Sequence, residues 1–216
     1  KPINLTGTSH YTMPMLCDVP PYENNDVRLG LKYAIDREML VKTILRGYGA
    51  VGNDHPISPL QRYFASELPQ RTYDPDKAKF HLKKAGKLYH TFKLHVADAA
   101  FAGAVDSAVL FKENAAKAGI NIEVVRESED GYWDLIWMKK PFCFSFWGGR
   151  PSEDWMFSIG YAAGANWNEG HFQHKRFNEL LVAARAELDE KKRREMYVEC
   201  QQIVCDEGGS IIPMFA

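Results

Sequence analysis

The sequence predicts an α/β fold with a mixed sheet flanked by helices, and two observations support this prediction. Strand-like apolar segments alternate with amphipathic helical segments between residues 91 and 147. Two long amphipathic helical segments, at 175–188 and 190–206, then lead into a last apolar segment at 210–215. Strand and helix patterns that alternate in this way are typical of a lobe in which helices pack on a sheet.

A pair of helices is predicted between residues 26 and 47. Asp26 can cap the amino terminus of the first helix and Asp36 that of the second, since both can accept from free backbone amides. Gly47 stands where a helix carboxyl terminus needs a residue that tolerates positive φ. Each helix carries one apolar stripe, Val27, Leu31, Ala34 and Ile35 in the first and Leu40, Val41, Ile44 and Leu45 in the second. We therefore expect the two helices to pack as a unit.

The elements that follow are predicted in order. Asp74 caps a third helix, Pro75 takes its first position and Gly86 ends it. A strand at 91–97, a helix at 101–118 and a strand at 120–125 form a β-α-β unit, which requires a parallel pair with a right-handed crossover. The remaining predicted elements are a short helix at 132–138, a strand at 142–147, a short helix at 155–161, helices at 175–188 and 190–206 with Asp189 as a cap, and a strand at 210–215.

The composition is that of a globular chain. With 216 residues, of which 45% are hydrophobic, the chain can bury most of its apolar surface. A formal net charge of -1 gives no basic surface for nucleic acid, and no apolar run approaches the roughly 20 residues that span a bilayer. We therefore expect neither a nucleic-acid partner nor a membrane-spanning segment. The four cysteines leave the compartment open.

Several ordered motifs resemble those of one family, the extracytoplasmic solute-binding proteins of peptide and nickel ABC importers (family 5). The first motif is close to VRxALxYAIDRExLVxxVLxGxGxxAxxPxxP, and the second to YDPxKAxxLLxxAG. The matching residues are Val27, Arg28, Leu31, Tyr33, Ala34, Ile35, Asp36, Arg37, Leu40, Val41, Gly47, Gly49, Pro56 and Pro59, then Tyr73, Asp74, Pro75, Lys77, Ala78, Leu82, Ala85 and Gly86. The last third, 166–213, resembles the family's closing helices and final strand.

The resemblance implies a lobe of the type II periplasmic-binding-protein fold. Full members have two lobes, and this chain resembles the carboxyl-terminal, inserted one. Residues 1–20 would hold an interlobe crossing strand and entry segment, 21–209 the α/β lobe, and 210–216 the return strand toward the amino-terminal lobe. The implied partners are that lobe, the ABC permease subunits and a small-molecule or peptide ligand. The implied location is periplasmic or otherwise extracytoplasmic, with a lipid anchor on the full-length protein as one option.

A run at 146–155 stands at the carboxyl end of a predicted strand, where open α/β sheets place their ligand crevice. Gly148 and Gly149 come directly after the strand and allow backbone to approach a ligand closely. Trp147 and Trp155 add large apolar surfaces, although Trp147 could equally be a core aromatic and the core is the favoured place for Trp155. The predicted ligand-binding residues are Trp147, Gly148, Gly149, Arg150, Asp154 and Trp155.

Arg150 departs from the family's pattern. In peptide-binding relatives a tryptophan is followed three residues later by an aspartate that pairs with the peptide's free amino group, but three residues after Trp147 this chain has Arg150. A guanidinium suits a carboxylate or phosphate and cannot pair with an ammonium. We therefore expect an anionic or zwitterionic solute, such as an opine-like molecule or an acidic conjugate. The alternative is that Glu153 or Asp154 neutralises Arg150 at the surface.

Three other patterns are weaker. Gly47, Gly49 and Gly52 spell G-x-G-x-x-G, but a dinucleotide loop follows a strand and opens a helix, whereas this one follows a helix. No cluster of cysteines or carboxylates lies at a metal-ligand spacing from His171 and His174, which favours a solvent-exposed start of a helix over a metal site. No serine, histidine and aspartate order suggests a catalytic triad. We therefore predict no cofactor, no metal site and no enzyme activity.

The predicted function is the receptor component of an ABC importer, which binds a peptide-like or other small solute between two lobes. Two alternatives stay open. One is the effector-binding domain of a transcription regulator with the same fold, and the other is an α/β nucleotide-dependent enzyme that uses the glycine loop. A signal peptide, a helix-turn-helix or a catalytic domain encoded upstream would separate the three.

Overall fold

A computed structural model describes residues 6–216 and confirms an α/β fold with sheets flanked by helices. The strands are β1 (His10–Pro14), β2 (Ala50–Val51), β3 (Thr91–Val96), β4 (Asn121–Arg126), β5 (Ser145–Trp147) and β6 (Ser210–Phe215). The helices are α1 (Asn25–Tyr33), α2 (Arg37–Thr43), α3 (Pro75–Lys84), α4 (Ala104–Lys117), α5 (Tyr132–Leu135), α6 (Glu153–Gly160), α7 (Lys175–Ala186) and α8 (Glu190–Glu207). Within residues 6–216 no helix combines the length and apolar character needed to cross a membrane.

A four-stranded antiparallel sheet, in the order β2-β6-β1-β5, divides the molecule into two cores. His10 of β1 pairs with Trp147 of β5 on one side and with Phe215 of β6 on the other. Successive side chains of a strand point to opposite faces, so Ile211 enters one core and Ile212 the other. The first core lies between this sheet, helices α1–α4 and the β3-β4 pair, and the second lies against α6–α8.

The predicted strand-helix-strand order and the parallel pairing of its strands are confirmed. Strands β3 and β4 pair in parallel from Thr91↔Asn121 to Val96↔Arg126, and α4 connects them. The predicted strand at 142–147 is shorter than expected, because β5 begins only at Ser145. Residues 142 and 143 instead form single bridges to Met15 and His95, which join the two sheets.

Most helix caps were predicted correctly, with one correction. The side chains of Asp36, Asp74 and Asp189 accept the backbone amides three residues on, as expected of N-caps. The prediction for Asp26 was wrong, because the side chain of Asn24 caps α1 by accepting from the amide of Asp26 at 2.8 Å.

Other helices begin or end a few residues away from the predicted positions. Helix α2 ends at Thr43, and Gly47, at φ +79°, follows one turn later. Helix α4 starts at Ala104 rather than 101, since the left-handed Gly103 precedes it. Helix α6 starts at Glu153 rather than 155, after an N-cap at Ser152, and α5 ends at Leu135.

Two buried cations bind the carboxyl terminus of α8. The Arg28 guanidinium donates to the carbonyl of Glu207 at 2.7 Å, and Lys32 Nζ donates to the carbonyls of Cys205 at 2.8 Å and Gly208 at 2.9 Å. The last carbonyls of a helix carry partial negative charge, so this end favours cations. Burial lowers the pKa of Lys32 to about 8. Arg28, a residue of the first family-like motif, thus has a structural role: it fixes α1 to α8.

Asp54 forms the centre of a buried ion network. Its carboxylate, fully buried, accepts from Arg37 at 2.6 and 2.7 Å, from Arg71 at 2.7 Å and from the amide of Ile212 at 2.9 Å. Burial alone would raise the pKa of Asp54, but Arg37, Arg71 and Lys32 outweigh it and lower the pKa to about 2. This network holds the loop after β2 against β6.

The G-x-G-x-x-G pattern has a packing explanation. A Cβ at Gly49 would lie 2.5 Å from the carbonyl oxygen of Phe215, and a Cβ at Gly52 would lie 2.2 Å from that of Ile212. The segment follows α2, and its glycines let β2 and the next residues lie directly on β6. Close backbone approach, rather than phosphate binding, accounts for these glycines.

Candidate functional site

An aromatic cleft opens at the carboxyl end of β5. Its volume is about 360 Å³, and we define the cleft by its lining residues, Trp133, Trp137, Ser145, Phe146, Trp147, Gly148, Arg150 and Trp167. Four of the chain's five tryptophans line it, and the fifth, Trp155, lies against Arg150. The cleft therefore presents mostly carbon, with one cation at its edge.

Several rings in this cleft are exposed to an unusual degree. Trp133 is 38% exposed, and Phe146 and Trp167 are each 45% exposed. They contact one another or the buried Trp147 edge to face, with ring centroids 6.1 Å apart for Trp133 and Phe146 and 6.2 Å apart for Trp147 and Trp167. Exposed apolar surface of this kind, gathered at one place, marks a binding site more often than scattered exposed residues do.

Glu169 lies buried beneath the cleft and binds two of its tryptophans. One carboxylate oxygen accepts from Trp147 Nε1 at 3.1 Å and from the Thr12 hydroxyl at 2.6 Å, and the other accepts from Trp137 Nε1 at 2.6 Å. Burial raises the pKa of Glu169, although these donors partly offset the effect. The two indole N–H groups are bonded inside the protein, so they are not free to bind a ligand.

Arg150 lies between two indole rings. Its guanidinium carbon is 5.7 Å from the ring centroid of Trp147 and 5.8 Å from that of Trp155, and Nη1 donates to the carbonyl of Gly149 at 2.6 Å. Both distances are within the range of cation–π attraction. In the described part of the chain, no carboxylate forms an ion pair with Arg150.

The expected alternative for Arg150, neutralisation by a neighbouring acid, is wrong. Glu153 is buried and accepts from the amide of Tyr63 at 2.7 Å. Asp154 accepts from Arg185 Nε at 2.7 Å. Both carboxylates therefore have partners elsewhere.

The structure brings some of the predicted ligand-binding residues together and leaves others apart. Trp147, Gly148 and Arg150 line the aromatic cleft, and Trp155 is half exposed on the other side of Arg150. Asp154 lies in a separate depression together with Arg185.

Gly149 is required by the backbone conformation and by close packing against Thr8, and it does not line the cleft. Its φ is +76°, and a Cβ there would lie 2.2 Å from the Thr8 hydroxyl oxygen. A side chain at this position would strike the segment that precedes β1. Gly148, by contrast, borders the cleft and has open space where a Cβ would lie.

Sequence reasoning missed five residues of this site: Trp133, Trp137, Ser145, Trp167 and Glu169. One available signal was that all five tryptophans fall between positions 133 and 167. Glu169 gave no such signal, since one of its partners, Thr12, is 157 positions away.

The two histidines considered as metal ligands have other partners. His171 Nδ1 lies 2.8 Å from Asp18, and His174 caps α7 by accepting from the amide of Phe177 at 3.1 Å. Within residues 6–216 no group of three or more potential metal ligands is found.

The fold is shared with solved structures of periplasmic binding proteins. HbpA2 from Haemophilus parasuis superimposes with a TM-score of 0.86 at 20% identity, over 98% of this chain and 43% of that protein. NikZ from Campylobacter jejuni, solved in complex with Ni(L-His), gives a TM-score of 0.84 at 20% identity, over 97% of this chain and 45% of that one. By its fold, this chain is therefore a lobe of the type II periplasmic-binding-protein class.

The sequence profile of the bacterial extracellular solute-binding proteins, family 5, middle region, matches residues 3–169, and this chain belongs to that family. The dipeptide-binding protein of Escherichia coli K12 is 26% identical over 208 residues, which cover 89% of this chain and 37% of that protein. The glutathione-binding protein GsiB of Salmonella typhimurium is 25% identical over 208 residues, 87% of this chain and 38% of that protein. The chain thus spans less than two fifths of these curated relatives.

Proposed function

We propose that this chain is the carboxyl-terminal lobe of the solute receptor of an ABC importer, and that it contributes one wall of an interlobe binding site. Family membership supports the receptor class, and the aromatic cleft at the end of β5 is the observation that carries the proposal. In this proposal a solute contacts both lobes and shifts the population toward a closed form, which docks on the permease. The receptor works outside the cytoplasm and catalyses no reaction.

The domain division proposed from the sequence has structural support. Strand β1, within the proposed crossing segment 1–20, lies beside β6, within the return segment 210–216. The amide of Gly7 also donates to the carbonyl of Ala216 at 2.7 Å. Two adjacent antiparallel strands at this position suit a connection through which a chain enters and leaves a lobe.

The solute class has to come from this chain's own residues, since the relatives differ in what they are named for binding: a dipeptide, glutathione or heme. Arg150 has no carboxylate partner among the described residues and faces the same cleft as Trp147. In the proposal, Trp147 packs on the solute and Arg150 binds an anionic group on it. Asp154 and Trp155 remain candidate contacts, although Asp154 would have to leave Arg185.

The test is a solute screen on the full-length product of the gene that encodes this chain. A panel of dipeptides, acidic conjugates and aromatic carboxylates is added, and the melting temperature is recorded, since only ligands that bind the native state raise it. Small-angle scattering then compares the radius of gyration with and without the best hit. We expect at least one solute to raise the melting temperature and reduce the radius of gyration. A gene that encodes a helix-turn-helix upstream, or a protein that no solute stabilises, would contradict the receptor proposal.

A further inference from the structure

We infer, on the basis of the proposed receptor function, that the solute is a flat aromatic molecule that carries a carboxylate, with its ring in the aromatic cleft and its carboxylate on Arg150. Shape, the state of the donors that line the cleft, and charge each support this assignment.

The shape of the cleft suits a ring. Its volume of about 360 Å³ falls at the lower end of the roughly 300 to 1,000 Å³ that is usual for small-molecule sites. Trp133, Phe146 and Trp167 leave a large part of their surface exposed, and a planar apolar group placed among them would cover that surface. Aromatic rings favour edge-to-face and offset stacked contacts, and the rings here already meet edge to face.

Two of the donors on the cleft wall already have an acceptor, so the wall that carries them favours an apolar group over a polar one. Glu169 holds the N–H groups of Trp137 and Trp147, so these two rings offer carbon and no hydrogen bond to whatever enters. The same bonds fix the orientation of both rings before any ligand arrives. A preorganised wall reduces the ordering that binding requires.

The charges of the site favour an anion over an ammonium. Arg150 is the one charged residue that lines the cleft, and its guanidinium is held over two indole faces without an ion-pair partner among the described residues. The two acids that follow Arg150 in the sequence are occupied, Glu153 by a backbone amide and Asp154 by Arg185, and Glu169 beneath the cleft is occupied by three donors. An ammonium would therefore meet a cation and find no free carboxylate among the described residues that line the cleft, whereas a carboxylate can accept two hydrogen bonds from the guanidinium fork.

The experiment uses three probes on the full-length gene product, measured by calorimetry. These are 2-naphthoate, which has both features, (2-naphthyl)methylammonium, which reverses the charge, and acetate, which lacks the ring. We expect 2-naphthoate to bind at least tenfold more tightly than either of the others. Arg150→Asp should weaken 2-naphthoate by about 10- to 100-fold, the value of a charge-assisted pair, and Arg150→Lys by less. Trp167→Ala should lower the affinities for both naphthyl probes by the same factor, so that the ratio of the two affinities stays unchanged.

Arg46→Asp is the matched control, since it makes the same charge reversal at an exposed residue away from the cleft. It should leave the affinity for 2-naphthoate within about twofold of the parent, a change below roughly 0.5 kcal/mol. Equal binding of the naphthyl anion and cation, or an Arg150→Asp variant that binds 2-naphthoate as the parent does, would overturn the inference. The inference would also be overturned by a Trp167→Ala variant that has a lower melting temperature but an unchanged affinity for 2-naphthoate. That result would mean that Trp167 packs against the rest of the full-length protein, which would then cover the cleft.

Failure here is distinguishable from failure of the receptor proposal. If the protein binds none of these probes but does bind another solute of the screen, such as a dipeptide with a free amino terminus, the receptor stands and the assignment of an aromatic carboxylate falls. If no solute of any class binds, the receptor proposal falls as well.

Discussion

Replacement of Asp54 by asparagine should be among the most damaging single changes in this lobe. Asparagine keeps the shape of the side chain but removes its charge and one of its two acceptor oxygens. The carboxylate of Asp54 is fully buried and faces Arg37 and Arg71, whose side chains are 2% and 5% exposed. Asp54→Asn would therefore leave two guanidinium groups in the interior without their shared anion.

The magnitude follows from that burial. Removing one partner of a buried ion pair costs about 3 to 5 kcal/mol, because the remaining charge stays desolvated. Arg71 retains a bond to Asp206 at 3.0 Å, which moderates its share of the loss, but Arg37 has no second carboxylate among the described residues. For a chain of this length, 3 to 5 kcal/mol should lower the melting temperature by roughly 6 to 20 °C.

Urea denaturation followed by circular dichroism measures the free energy of unfolding of parent and variant. The matched control is Glu199→Gln, which removes the charge from a pair of similar geometry with Arg176, at 2.7 and 2.9 Å, that lies on the surface. The control should change stability by less than about 1 kcal/mol, since exposed ion pairs contribute little.

Equal losses in the two variants would refute this reasoning, because burial would then make no difference to the energy of an ion pair here. A loss below about 1 kcal/mol for Asp54→Asn would refute it as well, since it would mean that both guanidinium groups can reach water.

Three further predictions concern other buried groups. Burial lowers the pKa of His10 and of His55 from 6.5 to about 4, so between these pH values only the unfolded chain takes up the two protons. The contribution of each histidine to the free energy of unfolding is therefore complete above pH 6.5 and should fall by about 1.4 kcal/mol per pH unit down to pH 4. His10→Gln should remove one of the two contributions, which urea denaturation at several pH values across this range would measure. Glu169→Ala should cost at least about 2 kcal/mol in urea denaturation, because two indole N–H groups lose their buried acceptor; an unchanged midpoint would show that water replaces the carboxylate. Gly52→Ala should lower stability by about 1 to 3 kcal/mol because its Cβ would overlap the β6 backbone, whereas Gly148→Ala has open space and should be close to neutral in the same assay.

The parts of the fold that could be predicted from sequence are those set by local chemistry. Asp36, Asp74 and Asp189 each cap a helix through an amide three residues on, and such a contact can be inferred from spacing alone. The start of α1 failed because Asn24 and Asp26 are both good caps two residues apart, and spacing does not choose between them. The ion network at Asp54 was out of reach, since it depends on how β2 and the loop after it lie on β6.

The candidate site shows the same division. Trp147 and Arg150 could be singled out because they lie at the carboxyl end of a predicted strand and at positions that the family's pattern also occupies. The floor of the cleft could not, because Glu169 joins Thr12 of β1 to tryptophans from two other segments. Sequence reasoning found the edge of the site that lies on one segment and missed the part that the tertiary fold assembles.

The pairing of β1 with β6 also determines how the lobe would respond to mechanical load. Because the two strands are antiparallel neighbours, with His10 opposite Phe215 and Pro14 opposite Ser210, the start of β1 and the end of β6 lie side by side at the same end of the two strands. A force that pulls residues 7 and 216 apart would act across the ladder and open its hydrogen bonds one pair after another. Strands loaded along their length would share the force among all pairs at once. The lobe should therefore open from this end of the two strands at low force.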